Sequence, residues 1–238
     1  MKKYSEDRSL TTNILWCLFA LVGLVVVPSL IFFVLMYFFT TKDGFILSLY
    51  ELFANFIFIG ALILIYFKDL KREFKIFKKN PSLFLKRGFK LYFVGLMAMI
   101  FFNLVISQVI GDVSSNENQV REMLFSSPAL TMISLVIVAP LSEELIFRKS
   151  LMPIFKNKWF YAFMSGLLFG GAHLLTNFLN NTFVLTDLIY LLPYGSLGFV
   201  FALMNHETKS TFTSMCIHAI HNGITGLLLL LIYNAGVM

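Results

Sequence analysis

Apolar residues in this chain run in long uninterrupted blocks. They form neither the stripes of a soluble amphipathic helix nor the alternation of a half-buried strand. A block of about 18 or more residues with few charges is long enough to cross a bilayer as a helix. Seven such blocks are legible, over residues 13–39, 45–67, 91–110, 128–154, 159–178, 183–204 and 211–233. Backbone amides in lipid must bond within their own segment, and nothing here alternates like a barrel strand. The pattern predicts an all-α, polytopic membrane helix bundle of about seven transmembrane helices. It reads as one integral membrane domain over residues 1–238, with a motif-bearing core over about 128–233.

Composition sharpens the choice of solvent. The chain is 58% hydrophobic and 13% charged, where a soluble domain carries about 25% charged residues. The first block is longer than the apolar core of a cleavable signal peptide and lacks its small-residue exit, so it is expected to remain as the first span. Cys17 and Cys216 both lie in apolar blocks. A disulfide framework or a thiolate-bound zinc would need more cysteines at closer spacing.

Charge then sets an expected orientation. Residues 68–90 carry nine of the 19 basic side chains, against Asp69 and Glu73. Lys2, Lys3, Arg8, Lys156, Lys158 and Lys209 fall in segments on the same side of the predicted bundle. Basic short loops stay in the cytoplasm, so the N-terminus is expected inside and the C-terminus outside the cell membrane. The excess of +6 therefore reads as a topology signal facing anionic headgroups, with no nucleic-acid partner.

Ionisable groups inside spans are costly and mark candidate sites. The fourth block holds Ala139-Pro-Leu-Ser-Glu-Glu-Leu-Ile-Phe-Arg148. Glu144 and Arg148 are four residues apart on one helical face, in the favourable order for an ion pair. Glu143 lies about 100° around the helix and cannot share that face. This suggests that Arg148 neutralises Glu144 and leaves Glu143 for chemistry. Pro140 is expected to kink the helix just before them. The fifth block holds His173 on a face with Ala162, Gly166 and Gly170, small residues that admit a close neighbour. The seventh holds His218 and Asn222 four apart, with His221 to one side. Glu51 with Asn55 in the second block is a weaker candidate for the same cavity, and Asp187 reads as structural.

Hydrolysis of a peptide bond needs a base for water, donors for the oxyanion and a proton for the leaving amine. Glu143 with His173 can bind and activate water, and Asn222 with His218 or His221 can donate to the oxyanion. No serine stands in register with matching partners for a triad. Zinc held by Glu143, His173 and His218 is the alternative, since histidines plus a carboxylate suit a catalytic zinc. The H-E-x-x-H helix is absent, however, and the ligands would come one per helix.

Glu143-Glu144-x-x-x-Arg148, Phe169-x-x-x-His173 and His218-x-x-x-Asn222, in this order, resemble the motifs of the CPBP family. That family comprises the CAAX proteases and bacteriocin-processing proteins, also called Abi, and includes the type-two prenyl-protein endopeptidase. The resemblance spans residues 143–222. It implies an intramembrane peptidase in which Glu143 and His173 activate water and His218 and Asn222 form the oxyanion site. Glu144 and Arg148 would be a supporting pair, with His221 an addition beside the third motif. No cofactor is required on this reading; the partners are a peptide or protein substrate and the lipid bilayer, and oligomeric state is left open. A non-catalytic scaffold or immunity protein would keep the fold but need not keep these side chains together. An ion or proton transporter would favour inverted repeats with broken helices, and none is visible.

Overall fold

The computed structural model describes residues 8–111 and 113–236, which form helices joined by short connections, with no strand among them. Lys2 and Lys3, which enter the orientation argument, lie outside the described residues. The helices are α1 (Leu10–Phe38), α2 (Gly44–Lys79), α3 (Pro81–Val109) and α4 (Ser115–Ser126). They continue as α5 (Pro128–Lys149), α6 (Lys158–Leu179), α7 (Leu185–Thr208) and α8 (Thr211–Asn234). Among the described residues, α1, α2, α3, α5, α7 and α8 are each long and apolar enough to cross a membrane. The fifth expected span is α6, a helix of 22 residues. The protein is a multi-pass membrane helix bundle.

Two connections differ from expectation. The basic segment 68–90, expected as a loop, is helical: α2 runs on to Lys79 and α3 starts at Pro81. Hydropathy locates the edge of the lipid, whereas lysine and arginine are good helix formers and let the helix continue into water. Asn80 makes the break, its side chain accepting from the Leu83 amide, with Pro81 in the first turn, where its missing N–H costs nothing. The third connection holds the amphipathic helix α4. Ser114 caps it by accepting from the Glu117 amide, and the Ser-x-x-Glu spacing is the sequence signal that announces such a start.

The outside of the bundle is apolar, with Leu15, Val22, Leu64, Val94, Phe163 and Leu231 all exposed. Lipid, not water, is the solvent for these faces. The buried centre is α7, which hides Leu197, Phe201, Ala202 and Met204. Its closest partner is α6. A Cβ on Gly166 would stand 2.7 Å from the Gly195 carbonyl oxygen, and one on Gly198 would stand 2.9 Å from Gly166 Cα. The two backbones touch here. The small-residue face read around His173 thus receives α7, with no side chain between them.

Polar contacts tie together one end of the bundle. Lys149, the last residue of α5, pairs with Glu73 on α2 and lies 3.8 Å from Asp69. Asp69 also pairs with Arg8 at 3.7 Å and Arg72 at 2.9 Å. The other Glu73 oxygen accepts from the amide and hydroxyl of Thr211, where α8 begins. Glu73 and Lys149 are buried, so an acidic residue of the basic segment joins the interior by meeting a lysine of α5.

The α6–α7 contact generates a prediction. Gly166→Ala must push α7 away and is expected to cost about 1–3 kcal/mol, as overpacking of a tight interior does. Gly60→Ala is the control, because no atom lies within 4 Å of its added Cβ. Thermal unfolding in detergent should show a lowered midpoint for the first variant and none for the second.

Candidate active site

Helix α5 carries the two glutamates between two π turns, Ser134–Val138 and Leu145–Lys149. Pro140 explains how the first is used. The Ala139 N–H bonds back to Ser134 O, and the next donor that could reach Leu135 O in this wider spacing belongs to residue 140. Proline has no N–H. The Leu135 carbonyl is therefore left to a side chain, and the Asn222 amide donates to it at 2.9 Å. At the proline the helix makes a widened turn whose spare carbonyl fixes Asn222. One of the two amide hydrogens of Asn222 is engaged in this way, leaving one for another acceptor.

The second π turn is satisfied similarly. Ser150 Oγ donates to Ile146 O, Ser165 Oγ to Phe147 O at 2.7 Å, and Tyr161 Oη to Arg148 O at 3.3 Å. Carbonyls released by irregular helix in a dry environment need such donors.

Glu144 and Arg148 are both fully buried and approach to 3.4 Å. The guanidinium lies over the Phe169 ring at 4.5 Å and reaches the Gly198 carbonyl at 3.4 Å. The absence of a side chain at Gly198 that brings α6 and α7 together also lets that carbonyl face Arg148. Glu144 is further bonded to His218 Nδ1 at 3.1 Å. A carboxylate only accepts, so Nδ1 carries the proton and Nε2 points the other way. His218 Nε2 lies 3.6 Å from Glu143 Oε2. The ring stacks on Phe201 at 4.9 Å.

His173 is oriented independently. Its Nδ1 donates to Phe169 O at 2.8 Å, and its ring stacks on Tyr194 at 4.2 Å. The neutral ring then presents an acceptor at Nε2. Tyr194 in turn shares a 2.6 Å hydrogen bond with Ser114 at the start of α4. His221 Nδ1 is 2.9 Å from the Tyr92 hydroxyl on α3.

These side chains meet at one cavity of about 610 Å³, whose walls include Glu143, His173, His218, His221 and Asn222. Glu144 and Arg148 stand behind it. Glu143 keeps about a fifth of its side chain exposed, and its Oε2 has no hydrogen-bond partner among the described residues. Two groups were not anticipated. Tyr194 and Tyr92 orient His173 and His221 from other helices, and no local spacing signals such a contact. Glu51 and Asn55 do not line this cavity; they line a second one. Asp187 accepts from Asn177 and from the Val184 amide, a structural role as read from the sequence.

Among the described residues no three His, Cys, Asp or Glu side chains are grouped so that they could hold a metal.

Comparison with known proteins bears on residues 125–224, which match the Type II CAAX prenyl endopeptidase Rce1-like family. All the motif residues fall within that stretch. The protein YdiL of Bacillus subtilis (strain 168), whose name assigns it provisionally to the membrane peptidases, is 30% identical over 116 residues. The aligned part covers 48% of this chain and 42% of the relative, so less than half of the relative's length is matched. No solved structure matches the chain.

The buried pair gives the test of this geometry. Arg148→Ala strands Glu144 as an uncompensated charge and is expected to cost about 3–5 kcal/mol. Arg148→Ala with Glu144→Gln should recover much of the loss, because the stranded charge is then gone. A thermal midpoint in detergent that is unchanged in the single variant would remove the pair from its structural role.

Proposed function

We infer that the chain belongs to the CPBP family of CAAX proteases, because its motif-bearing residues 125–224 match the Type II CAAX prenyl endopeptidase Rce1-like family, and that it is an intramembrane endopeptidase. Its substrates on this reading are membrane-associated or hydrophobic peptides. The observation that carries the proposal is the meeting of Glu143, His173, His218 and Asn222 on one mainly apolar cavity within the membrane bundle.

Glu143 is the base in this mechanism. It takes a proton from a water held between its carboxylate and the acceptor Nε2 of His173. The water oxygen bonds to the substrate carbonyl carbon, and the carbonyl oxygen becomes an oxyanion. Asn222 offers its remaining amide hydrogen, and His218 offers Nε2–H when both ring nitrogens carry protons; Glu144 supplies the counter-charge. Loss of one such donor typically costs about 10²–10³ in turnover. The C–N bond then breaks, and the proton held by Glu143 passes to the leaving nitrogen. One water is consumed and an acid and an amine are released.

The mechanism draws on no metal. The membrane orientation proposed with it has the N-terminus in the cytoplasm and the C-terminus outside, as the basic segments require.

The test is cleavage of a peptide library by purified, reconstituted protein, with new termini read by mass spectrometry. Glu143→Gln keeps the size of the side chain but cannot act as a base. It should abolish cleavage with the unfolding midpoint unchanged, and retained turnover would move the base elsewhere. Extensive chelation should leave activity intact, with elemental analysis finding well under one zinc per chain. Activity that falls with zinc and returns on its addition would overturn the metal-free mechanism.

A further inference from the structure

Glu143 borders two cavities. The second, of about 260 Å³, lies between α1, α2, α4 and α5, whereas the larger one draws its walls from α3 to α8. The residues common to both are Val120, Leu135, Ala139 and Glu143. Three of these are spaced by four along α5, so one edge of that helix forms the partition. Leu135 and Ala139 are apolar, and Glu143 is the polar group in the wall.

The lining of the smaller cavity is unusual for a space inside a membrane bundle. It includes Ser48, Glu51, Asn55, Ser134 and Ser142. Several of these side chains are already bonded to their own helices. Ser48 donates to Gly44 O, Asn55 to Glu51 O, and Ser142 to Val138 O. The two serine hydroxyl hydrogens are spent in this way, whereas Asn55 keeps one amide hydrogen, and the side-chain oxygens keep lone pairs that can accept from water. A cavity of this size with such groups in its wall has room for several waters, each needing two to four polar partners.

The reaction creates a need for such a supply. Each cleavage consumes one water, and an apolar peptide filling the larger cavity excludes water from that side. Resting on the peptidase reading, we propose that the smaller cavity is a hydration pocket that delivers the hydrolytic water to Glu143 from the face away from the substrate. Glu51 and Asn55 are positioning residues that hold this water. They act through it and do not touch the substrate.

Two measurements test the proposal in reconstituted protein. In the first, Cys17 and Cys216 are replaced by alanine, and Asn55→Cys is treated with a small cationic methanethiosulfonate. Asn55→Cys should be labelled rapidly, whereas Phe53→Cys, on an exposed apolar face of the same helix, should not. In the second, Glu51→Leu should lower kcat about tenfold with KM unchanged, since supply of water and not binding is affected. Glu51→Gln, which still bonds water, should restore most of that loss. An unlabelled Asn55→Cys, an unchanged kcat in Glu51→Leu, or a loss in KM alone would each overturn the proposal. So would a loss in Glu51→Gln as deep as in Glu51→Leu. If the wild-type chain cleaves no peptide, the peptidase reading falls and the delivery role with it. Labelling at position 55 then still decides separately whether the cavity is wet.

Discussion

A buried charge in a membrane bundle must be matched, and that requirement organises this molecule. Arg148 and Glu144 have no access to solvent, so each depends on the other and on what surrounds them. The guanidinium rests on Phe169 of α6 and faces the Gly198 carbonyl of α7, while the carboxylate holds His218 of α8. One ion pair on α5 thereby fixes three other helices at the level of the cavity. It also fixes the direction of His218 Nε2 toward Glu143. In the proposed mechanism, moving a proton from water to Glu143 leaves the new negative charge on the oxyanion, so the total charge of the site is unchanged through the step. A site in a medium that penalises net charge is well served by that balance.

The packing beneath the pair follows the same logic. Gly166 and Gly198 let α6 and α7 meet backbone to backbone, which delivers a carbonyl to Arg148 and aligns Tyr194 with His173. Hydroxyls from Ser150, Ser165 and Tyr161 take up the carbonyls that the second π turn releases. At the end of α5, Lys149 and Glu73 are buried together. These polar groups inside the bundle each sit where another polar group meets them.

Much of this was legible in the order of residues. The apolar blocks gave every long helix, because bilayer thickness imposes a length that composition reveals. The i, i+4 spacing of Glu144 and Arg148, and the small-residue face around His173, predicted contacts that the structure contains. Helix continuity through residues 68–90 was not legible, since hydropathy senses lipid and not helicity. Tyr92 and Tyr194 were hidden because they act across helices far apart in sequence. The pinning of Asn222 by Leu135 was hidden for another reason. It depends on a carbonyl made free by Pro140 and a π turn together, and neither has a signature in side-chain periodicity. The partition between the two cavities, though it recurs every four residues on α5, is visible only once the facing helices are known.

The two π turns of α5 have a consequence for how this helix can vary. Each inserts a residue relative to a regular helix, so the hexapeptide Ala139–Glu144 between them sits at an angular phase set from both sides. Removing a single residue from Ser134–Val138 would restore regular winding and leave the apolar character of the span intact. The bulge absorbs its extra residue, so the carboxylates would keep roughly their phase, but the carbonyl left free before Pro140 would no longer be that of Leu135, and Asn222 would lose its anchor. Substitutions on the lipid face are absorbed by the solvent, whereas changes of length in α5 are not. The span is permissive in chemistry on its lipid face and constrained in count at its π turns.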